Sequence, residues 1–287
     1  MRVCSVLNEQ GKLLAVRRGA ELIDVSRQNP DSPTEMHRFL DLPDAKQRLS
    51  RSLDTSRAEY ILNEANVTYL PAVERPGKIL CLGLNYKDHA AEIGLPLPDY
   101  PILFMRGATS LVGHKQPLLL PKISHQFDYE AELAVVIGKR ARNVKVKDAH
   151  AYVFGVSCFN DATLRDLQFR GSQWTPGKNF DRTGGFGPDI VTLDELLKDP
   201  DELNIECRLN GVVVQKSNTN QHVFGVRQSI EVLSSLMTLE PGDVISLGTP
   251  SGVGSVRKPQ LWMKAGDVCE VEIEGVGVLK NDVGDED

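Results

Sequence analysis

The chain has 287 residues, of which 41% are hydrophobic and 25% charged, so it can bury a sizeable globular core. Its formal net charge is -6 and it has no run of Lys and Arg, which argues against nucleic acid as a partner. No stretch approaches the roughly 18 apolar residues of a membrane helix, and the first residues lack a secretory pattern. We therefore expect no membrane partner and a cytoplasmic location.

The cysteines are odd in number, widely spaced and free of any Cys-x-x-Cys pair. They are Cys4, Cys81, Cys158, Cys207 and Cys269. This spacing argues against a disulfide framework and against a structural zinc site. We expect them to pack as small apolar residues.

Residues 1–75 carry many charges and no glycine cluster, and they are predicted to form a small N-terminal domain. Val3–Leu7 and Leu13–Arg17 predict two short strands. Apolar residues over 44–65 recur near helical spacing and predict a helix. A Pro-Gly break then separates this segment from a second domain over residues 76–287.

Beyond residue 76, short apolar runs are separated by Gly, Pro and Asn turns, which predicts a strand-rich fold. The predicted strands are Ile79–Leu84, Leu133–Ile137, Tyr152–Phe159, Leu203–Leu209, Val212–Gln215, Val244–Leu247, Val268–Ile273 and Val276–Leu279. Asn210-Gly211 predicts a hairpin, and Val226–Met237 predicts a helix. Because no βαβ alternation occurs, we predict a β-rich α+β fold, a mixed roll or sandwich, instead of a doubly wound sheet.

Glu130 and Glu132 are the most informative residues of the sequence. On a strand, residues two apart point to the same face, so the two carboxylates would lie side by side. Two such charges repel unless one protonates or a cation lies between them. The alternative is an exposed Glu-x-Glu on a solvent face. The apolar run 133–137 that follows indicates a strand entering the core, which favours a metal.

Asp161 follows the predicted strand Tyr152–Phe159 and is the third candidate ligand. It could equally cap a short helix that begins near Ala162, and the sequence leaves both roles open. Three carboxylates without thiol or imidazole select a hard cation, such as magnesium, manganese or calcium, and not zinc. Magnesium would keep waters and so leave positions for a chelating substrate.

Several motifs over residues 76–287 occur in the order found in the fumarylacetoacetate hydrolase family, which the chain resembles. They are Cys81 to Tyr86 with His89 and Glu92, Tyr129 to Gly138, Asn160-Asp161 with Arg165, Asp166 and Gln168, Gly177 to Asp181, Gly187-Pro188, Asn210-Gly211 with Gln215, and Gly248 to Gly254. The resemblance implies the family's β-rich roll, usually a homodimer, in which Glu130, Glu132 and Asp161 bind Mg²⁺ or Mn²⁺. Residues 1–75 resemble the variable extension of longer members.

His89 and Glu92 match the acid–base pair of the family. They lie three apart, on one side of a short helical turn, so the carboxylate can orient the imidazole and stabilise its charge. Outside this context, His-x-x-Glu is usually a solvated pair. The segment His89 to Asp99 contains Gly94 and two prolines, and is predicted to form a mobile lid that excludes water.

Lys178 matches the active-site lysine of the family, which could hold a substrate carboxylate or steady an oxyanion. Three further positions match substrate-binding residues: Arg165, Gln168 and Thr249. Thr249 lies in a Gly-Thr-Pro loop where glycine lets the backbone approach a carboxylate closely. The glycines at 184, 185 and 187 depart from the pattern of many members.

The resemblance implies an enzyme that hydrolyses a carbon–carbon bond in an acylpyruvate-like 2-oxo acid with the help of a metal ion. His89, oriented by Glu92, would deprotonate the attacking water. The same site suits decarboxylation of a 2-oxo diacid such as oxaloacetate, or isomerisation of a 2-hydroxydienoate, and the fold does not separate these reactions. A non-catalytic protein that binds metal and a small acid, or a structural calcium site, is disfavoured because neither needs His89, Glu92 and Lys178 together.

Overall fold

The computed structural model describes residues 1–55 and 57–286. Its N-terminal segment contains β1 (Arg2–Asn8), β2 (Gly11–Arg18), β3 (Glu21–Asp24), α1 (Val25–Gln28), α2 (Met36–Leu40), α3 (Ala45–Leu53), β4 (Ile61–Leu62) and β5 (Thr68–Tyr69). Both predicted strands of this segment are present, as β1 and β2. Each contains four consecutive buried residues, Val3–Val6 and Leu13–Val16, which is typical of a strand covered on both faces.

The helix predicted over residues 44–65 is wrong beyond Leu53, where α3 ends. Ala58–Tyr60 forms a single 3₁₀ turn, and Ile61–Leu62 pairs with β3 as a short strand. Ser56, within the predicted helix, lies outside the described residues. The apolar residues that extended the helical pattern therefore serve a strand, because pairing with a neighbouring strand outweighs local spacing.

The remaining elements are mostly strands, which confirms the strand-rich α+β class. The strands are β6 (Ile79–Gly83), β7 (Ile102–Met105), β8 (Leu111–Val112), β9 (Leu118–Leu120), β10 (Phe127–Asp128), β11 (Ala131–Ile137), β12 (Val153–Asn160), β13 (Thr163–Leu164), β14 (Gly184–Thr192), β15 (Asn204–Leu209), β16 (Val212–Asn218), β17 (Val244–Ser246), β18 (Val268–Ile273) and β19 (Gly277–Asp285). The helices are α4 (Lys87–Glu92), α5 (Arg165–Gln168), α6 (Thr175–Lys178) and α7 (Val226–Leu236). Further 3₁₀ turns span Glu64–Asn66, Ala108–Ser110, Val146–Tyr152, Leu193–Glu195, Pro200–Glu202, Thr219–Gln221 and Gly254–Val256.

A 12-stranded sheet runs through the described residues in the order β4-β3-β2-β1-β14-β12-β11-β17-β6-β7, with β5 beside β1 and β8 beside β14. β1 joins β14 through two residue pairs, Arg2 with Val191 and Val3 with Ile190. One hydrophobic cluster contains Val3 together with Ala134, so the N-terminal segment and the rest share both a sheet and a core. The division into two domains at residue 75 stays a prediction.

A second sheet of five strands has the order β16-β15-β18-β19-β9. Its inward residues Ile205 and Val271 share a core with Leu133 of β11, so the two sheets pack face to face. Asn210 and Gly211 both have positive φ, 53° and 77°, and join β15 to β16 as the predicted hairpin. Within residues 1–55 and 57–286, no helix combines the length and apolar character that a membrane crossing requires.

The pairing of β11 with β12 places the predicted ligands at one edge of the large sheet. Ala131 pairs with Asn160, so Glu130 and Asp161 face each other just beyond the paired residues. The backbone N–H of Asp161 donates to the carbonyl of Glu130 over 2.9 Å. The predicted ligands therefore lie at the start of β11 and just after the end of β12.

Candidate metal centre and substrate cavity

Carboxylate oxygens of Glu130, Glu132 and Asp161 lie within 4.8 Å of one another, and all three residues are buried. These positions exclude the two alternatives that the sequence left open. Glu130 and Glu132 are buried and do not lie on a solvent face. Asp161 does not cap a helix, because the N-cap of α5 is Leu164. Hard oxygen donors at this separation could hold a divalent ion such as Mg²⁺ or Mn²⁺. The donor set fits the cation class predicted from the sequence.

Glu132 is held by neutral donors from the last residue of β17 and from the loop that follows it. Ser246 Oγ donates to its Oε2 over 2.5 Å, and the Gly248 N–H donates to the same oxygen over 2.9 Å. Gly248 needs to be glycine, because its φ is 87° and a Cβ would lie 2.8 Å from the carbonyl oxygen of Leu82. Burial, together with the charges of Asp161 and Glu130, raises the pKa of Glu132 well above its usual range, a cost that a bound cation would remove.

The ammonium group of Lys178 lies between the other two carboxylates. Its Nζ donates to Glu130 Oε2 and to Asp161 Oδ2, each over 2.6 Å, and to the Asp161 carbonyl oxygen over 3.2 Å. These contacts use all three hydrogens of the ammonium group. Lys178 therefore holds two of the three predicted metal ligands in place, and its predicted contact with substrate stays a prediction.

Arg165 is buried beside the same carboxylates. Its Nε donates to Asp128 Oδ2 over 2.8 Å and its Nη1 to Gln168 Oε1 over 3.0 Å. Its Nη2 lies 2.7 Å from Glu130 Oε1, close enough for an ion pair but at an angle unsuited to a hydrogen bond. Burial raises the pKa of Glu130, but Lys178 and Arg165 outweigh it and lower that pKa to about 2.

Arg106 belongs to this ionic cluster and was missed by the sequence analysis. Its Nη1 donates to Asp161 Oδ1 over 2.6 Å, and its Nη2 donates to Thr183 over 2.9 Å. A Cβ at position 184 would lie 2.7 Å from Arg106 Nη2. The unusual glycine at this position is therefore explained by the space that the guanidinium needs.

His89 and Glu92 lie on α4, three residues apart as predicted. Nδ1 of His89 lies 3.1 Å from Glu92 Oε2, and Glu92 Oε1 accepts the N–H of Gly252 over 2.9 Å. Because a carboxylate can only accept, the pair is consistent with a proton on Nδ1 and a lone pair on Nε2. Asp88 attaches the same helix to β16 by accepting from Ser217 Oγ over 2.6 Å.

A cavity of about 430 Å³ brings most of the predicted site residues together. Those that line it are His89, Glu130, Glu132, Arg165, Gln168, Lys178 and Thr249. Glu92 and Asp161 do not line the cavity, but each contacts a residue that does. Glu92 contacts His89, and Asp161 contacts Lys178. Gln215 Nε2 donates to Thr249 Oγ1 over 2.8 Å, which leaves the hydroxyl hydrogen of Thr249 for a ligand.

One cavity lies beside three buried carboxylates that could hold a divalent ion and beside a histidine paired with a glutamate, an arrangement typical of an enzyme active site. The chain belongs to the fumarylacetoacetate hydrolase family, since residues 78–284 match the family model of the fumarylacetoacetate (FAA) hydrolase C-terminal region. The resemblance noted from the sequence is thereby confirmed. Members of the family named below are enzymes.

Two relatives are similar over nearly the whole chain. The mitochondrial oxaloacetate tautomerase fahd2 of Xenopus laevis is 42% identical over 273 residues, 94% of this chain and 85% of the relative. The mitochondrial oxaloacetate tautomerase FAHD2A of Homo sapiens is 42% identical over 272 residues, 94% of this chain and 86% of the relative.

Two solved structures share the fold over the full length of both chains. A putative HpcE protein from Mycobacterium smegmatis has a TM-score of 0.87 and 34% identity, with 100% of each chain covered. The maleylpyruvate hydrolase of Sphingobium sp. SYK-6, solved with manganese(II) and pyruvate, has a TM-score of 0.82 and 27% identity, again with 100% of each chain covered.

Proposed function

We propose that the chain is a divalent-metal-dependent enzyme that interconverts the enol and keto forms of a small 2-oxo acid. The observation that carries the proposal is the shared cavity, which His89 lines together with the carboxylates of Glu130 and Glu132. A proton-transferring imidazole and a place for a charge-stabilising ion therefore face the same bound molecule. The two relatives named as oxaloacetate tautomerases make oxaloacetate the first substrate to test.

His89 carries the proton in this reaction. Its Nε2 accepts the proton of the 2-hydroxyl group of the enol and returns it to C3. The C2–C3 double bond becomes single, the C2–O bond becomes a carbonyl, and no atom is gained or lost. Glu92 orients the ring and stabilises its transient positive charge. An ion held by Glu130, Glu132 and Asp161 would supply Lewis-acid stabilisation of the negative charge on the 2-oxygen.

The position of Lys178 favours tautomerisation over the hydrolysis predicted from the sequence. Hydrolysis of an acylpyruvate passes through a tetrahedral oxyanion, which needs a hydrogen-bond donor. All three hydrogens of the Lys178 ammonium group already point to Glu130 and Asp161. Keto–enol exchange makes no tetrahedral oxyanion and does not need this donor.

Hydrolysis of an acylpyruvate is the second candidate, and Gln168 supports it. The oxygen of its side-chain amide accepts from Arg165, so the amide nitrogen is the end that remains for the cavity. That nitrogen could donate to an oxyanion in place of Lys178. The structural match to a maleylpyruvate hydrolase that binds manganese and pyruvate supports the same candidate.

The test uses the full chain, stripped of metal with a chelator and reloaded with Mg²⁺ or Mn²⁺. The ketonisation of enol-oxaloacetate is followed by the loss of enol ultraviolet absorbance, with acetylpyruvate assayed in parallel. We expect metal-dependent ketonisation that His89→Gln lowers by roughly 10²- to 10⁴-fold. Release of acetate and pyruvate without ketonisation would replace the tautomerase by the hydrolase, and release of carbon dioxide alone would replace it by a decarboxylase.

A further inference from the structure

We infer that the cavity beyond the metal centre receives an apolar planar group, so that the substrates include 2-oxo acids with an aryl group on C3. This inference rests on the proposed function, because it names a substrate class for the same site. The cavity volume of about 430 Å³ lies in the range of roughly 300–1,000 Å³ that holds ligands of drug size. A four-carbon acid fills only part of it.

Aromatic and aliphatic side chains form the cavity wall away from the carboxylates. They are Ile93, Leu95, Phe104, Phe169, Trp174 and Trp262. The chain has only two tryptophans, and both line this cavity. Indole and phenyl faces gain more from an aromatic ligand than from the burial of area alone, because the rings can stack or meet edge to face.

One part of this wall is fixed directly to the metal centre. The Nζ of Lys178 lies 5.0 Å from the centroid of the Phe104 ring, and that ring meets Trp174 edge to face at 5.6 Å between centroids. The indole of Trp174 occupies the space where a side chain at Gly83 would stand. The glycine thus lets the indole pack on the end of β6, and the aromatic wall runs without a break from Lys178 to Trp174.

Trp262 is held through its neighbours. The N–H of Leu261 donates to the carbonyl of Gly254 over 3.1 Å, and the N–H of Met263 donates to the carbonyl of Phe127 over 2.8 Å. The backbone on each side of Trp262 is therefore anchored, while its side chain lines the cavity. The anchored backbone limits where the Trp262 side chain can lie, which lowers the cost of ordering it around an apolar group.

The described residues that line the cavity offer no free permanent cation to a second carboxylate. Among the described residues that line it, Arg165 and Lys178 are the permanent cations, and both are paired with carboxylates of the metal centre. A carboxylate on the far end of a diacid would lose water against an apolar wall without a cationic partner, which is costly. An aryl group in the same place gains from burial.

The test compares three unreactive amide analogues of 2-oxo acids that differ only in the group attached to the amide nitrogen. Oxamate carries no group there, N-oxalylglycine carries a carboxymethyl group, and N-phenyloxamate carries a phenyl group. Each is titrated into the Mg²⁺-loaded chain by calorimetry and by intrinsic tryptophan fluorescence. We expect N-phenyloxamate to bind roughly 10- to 100-fold more tightly than oxamate. N-Oxalylglycine should bind no more tightly than oxamate.

Two variants test the wall itself by calorimetry. Trp262→Ala should reduce the advantage of the phenyl group to a few-fold while the Kd of oxamate stays unchanged. Val256→Arg adds a cation to the lining and should shift the preference towards N-oxalylglycine. Leu197→Ala is the control, since this leucine is 99% exposed and lies away from the cavity.

The outcomes separate the inference from the proposed function. If oxamate binds and N-oxalylglycine binds more tightly than N-phenyloxamate, the inference is wrong, and the proposed function stands with a diacid as substrate. If oxamate does not bind to the metal-loaded chain, both the proposed function and the inference fail. A phenyl advantage that Trp262→Ala leaves intact also overturns the inference, because the predicted wall would not produce it.

Discussion

The carboxylate triad and the His89–Glu92 pair face one cavity, but the fold holds them in different ways. The triad lies at the ends of β11 and β12 in the large sheet, and every carboxylate accepts from buried donors. The pair lies on α4, a helix of six residues that Glu92 and Asp88 attach to its surroundings by a few hydrogen bonds. The predicted metal ligands are thus built into the core, whereas the pair proposed to transfer the proton is held by fewer contacts.

The largest expected effect is a difference in fold stability between substitutions of Glu130 and of Glu132. Glu130→Gln should destabilise the fold by about 3–5 kcal/mol, because Lys178 and Arg165 lose a buried partner. Glu132→Gln should cost less than about 1 kcal/mol, since an amide oxygen can still accept from Ser246 and Gly248. Both variants should lose the rise in Tm that Mn²⁺ produces. Thermal unfolding with chelator and with Mn²⁺ measures both effects, and equal destabilisation by the two substitutions would contradict the ionic network.

His89→Gln tests the His89–Glu92 pair. It should lower kcat by roughly 10²- to 10⁴-fold, because the proton carrier is removed. Affinity for Mn²⁺ and Tm should stay close to those of the wild type, since the His89 ring hydrogen-bonds to Glu92 and not to a predicted metal ligand among the described residues. Steady-state kinetics and metal titration check this together, and a parallel loss of metal affinity would show that the two halves are not independent.

His114 is expected to lower the stability of the fold at acidic pH without taking part in catalysis. His114 accepts the N–H of Lys280 at Nδ1 over 3.1 Å, and its ring meets Tyr69 at 5.1 Å between centroids. Burial, with the charge of Lys115, lowers the pKa of His114 to about 4, whereas the unfolded value is about 6.5. The unfolded state then binds a proton that the folded state does not. Stability is full above about pH 6.5 and falls by roughly 2–3 kcal/mol as pH drops towards 4.

Urea unfolding between pH 7 and pH 4.5 measures this loss. His114→Asn is the matched variant, because its amide oxygen can accept the same backbone N–H without titrating. We expect the variant to lose less stability on acidification than the wild type, with an unchanged rate at neutral pH. Identical pH profiles for the two proteins would place the acid sensitivity elsewhere.

The smallest expected effect is that of Glu92→Gln. The amide oxygen can still accept the N–H of Gly252, so α4 should keep its position. The loss of the charge beside Nδ1 should lower kcat by about 10-fold, because the transient positive charge of the ring is no longer stabilised. Steady-state kinetics check this. A rate equal to that of the wild type would mean that Glu92 only positions the ring.

The triad could be predicted from sequence because its geometry is local. A strand repeats every two residues, which fixes Glu130 beside Glu132, and the end of the following strand supplied Asp161. The same argument placed His89 and Glu92 on one helical turn. These predictions needed only the type of element and not its neighbours in space.

Arg106 could not be predicted in this way, because its contact with Asp161 depends on where β7 lies relative to β12 in the sheet. The helix expected over residues 44–65 failed for the same kind of reason. Its C-terminal part joins β3, and the spacing of apolar residues carries no information about such a partner. The neutral donors of Glu132 also come from a distant segment, the last residue of β17 and the loop that follows it.

The junction of β1 with β14 has a consequence for any shortened form of the chain. β1 covers Ile190 and Val191 of β14, the carbonyl of Phe186 accepts the N–H of Ala72, and that of Met1 accepts the N–H of Thr192. Without residues 1–75, this stretch of β14 would become an open edge with unpaired backbone groups, beside the strand that leads to Asp161. Such an edge invites pairing between molecules. The N-terminal segment therefore covers an edge of the large sheet that would otherwise be open to another chain.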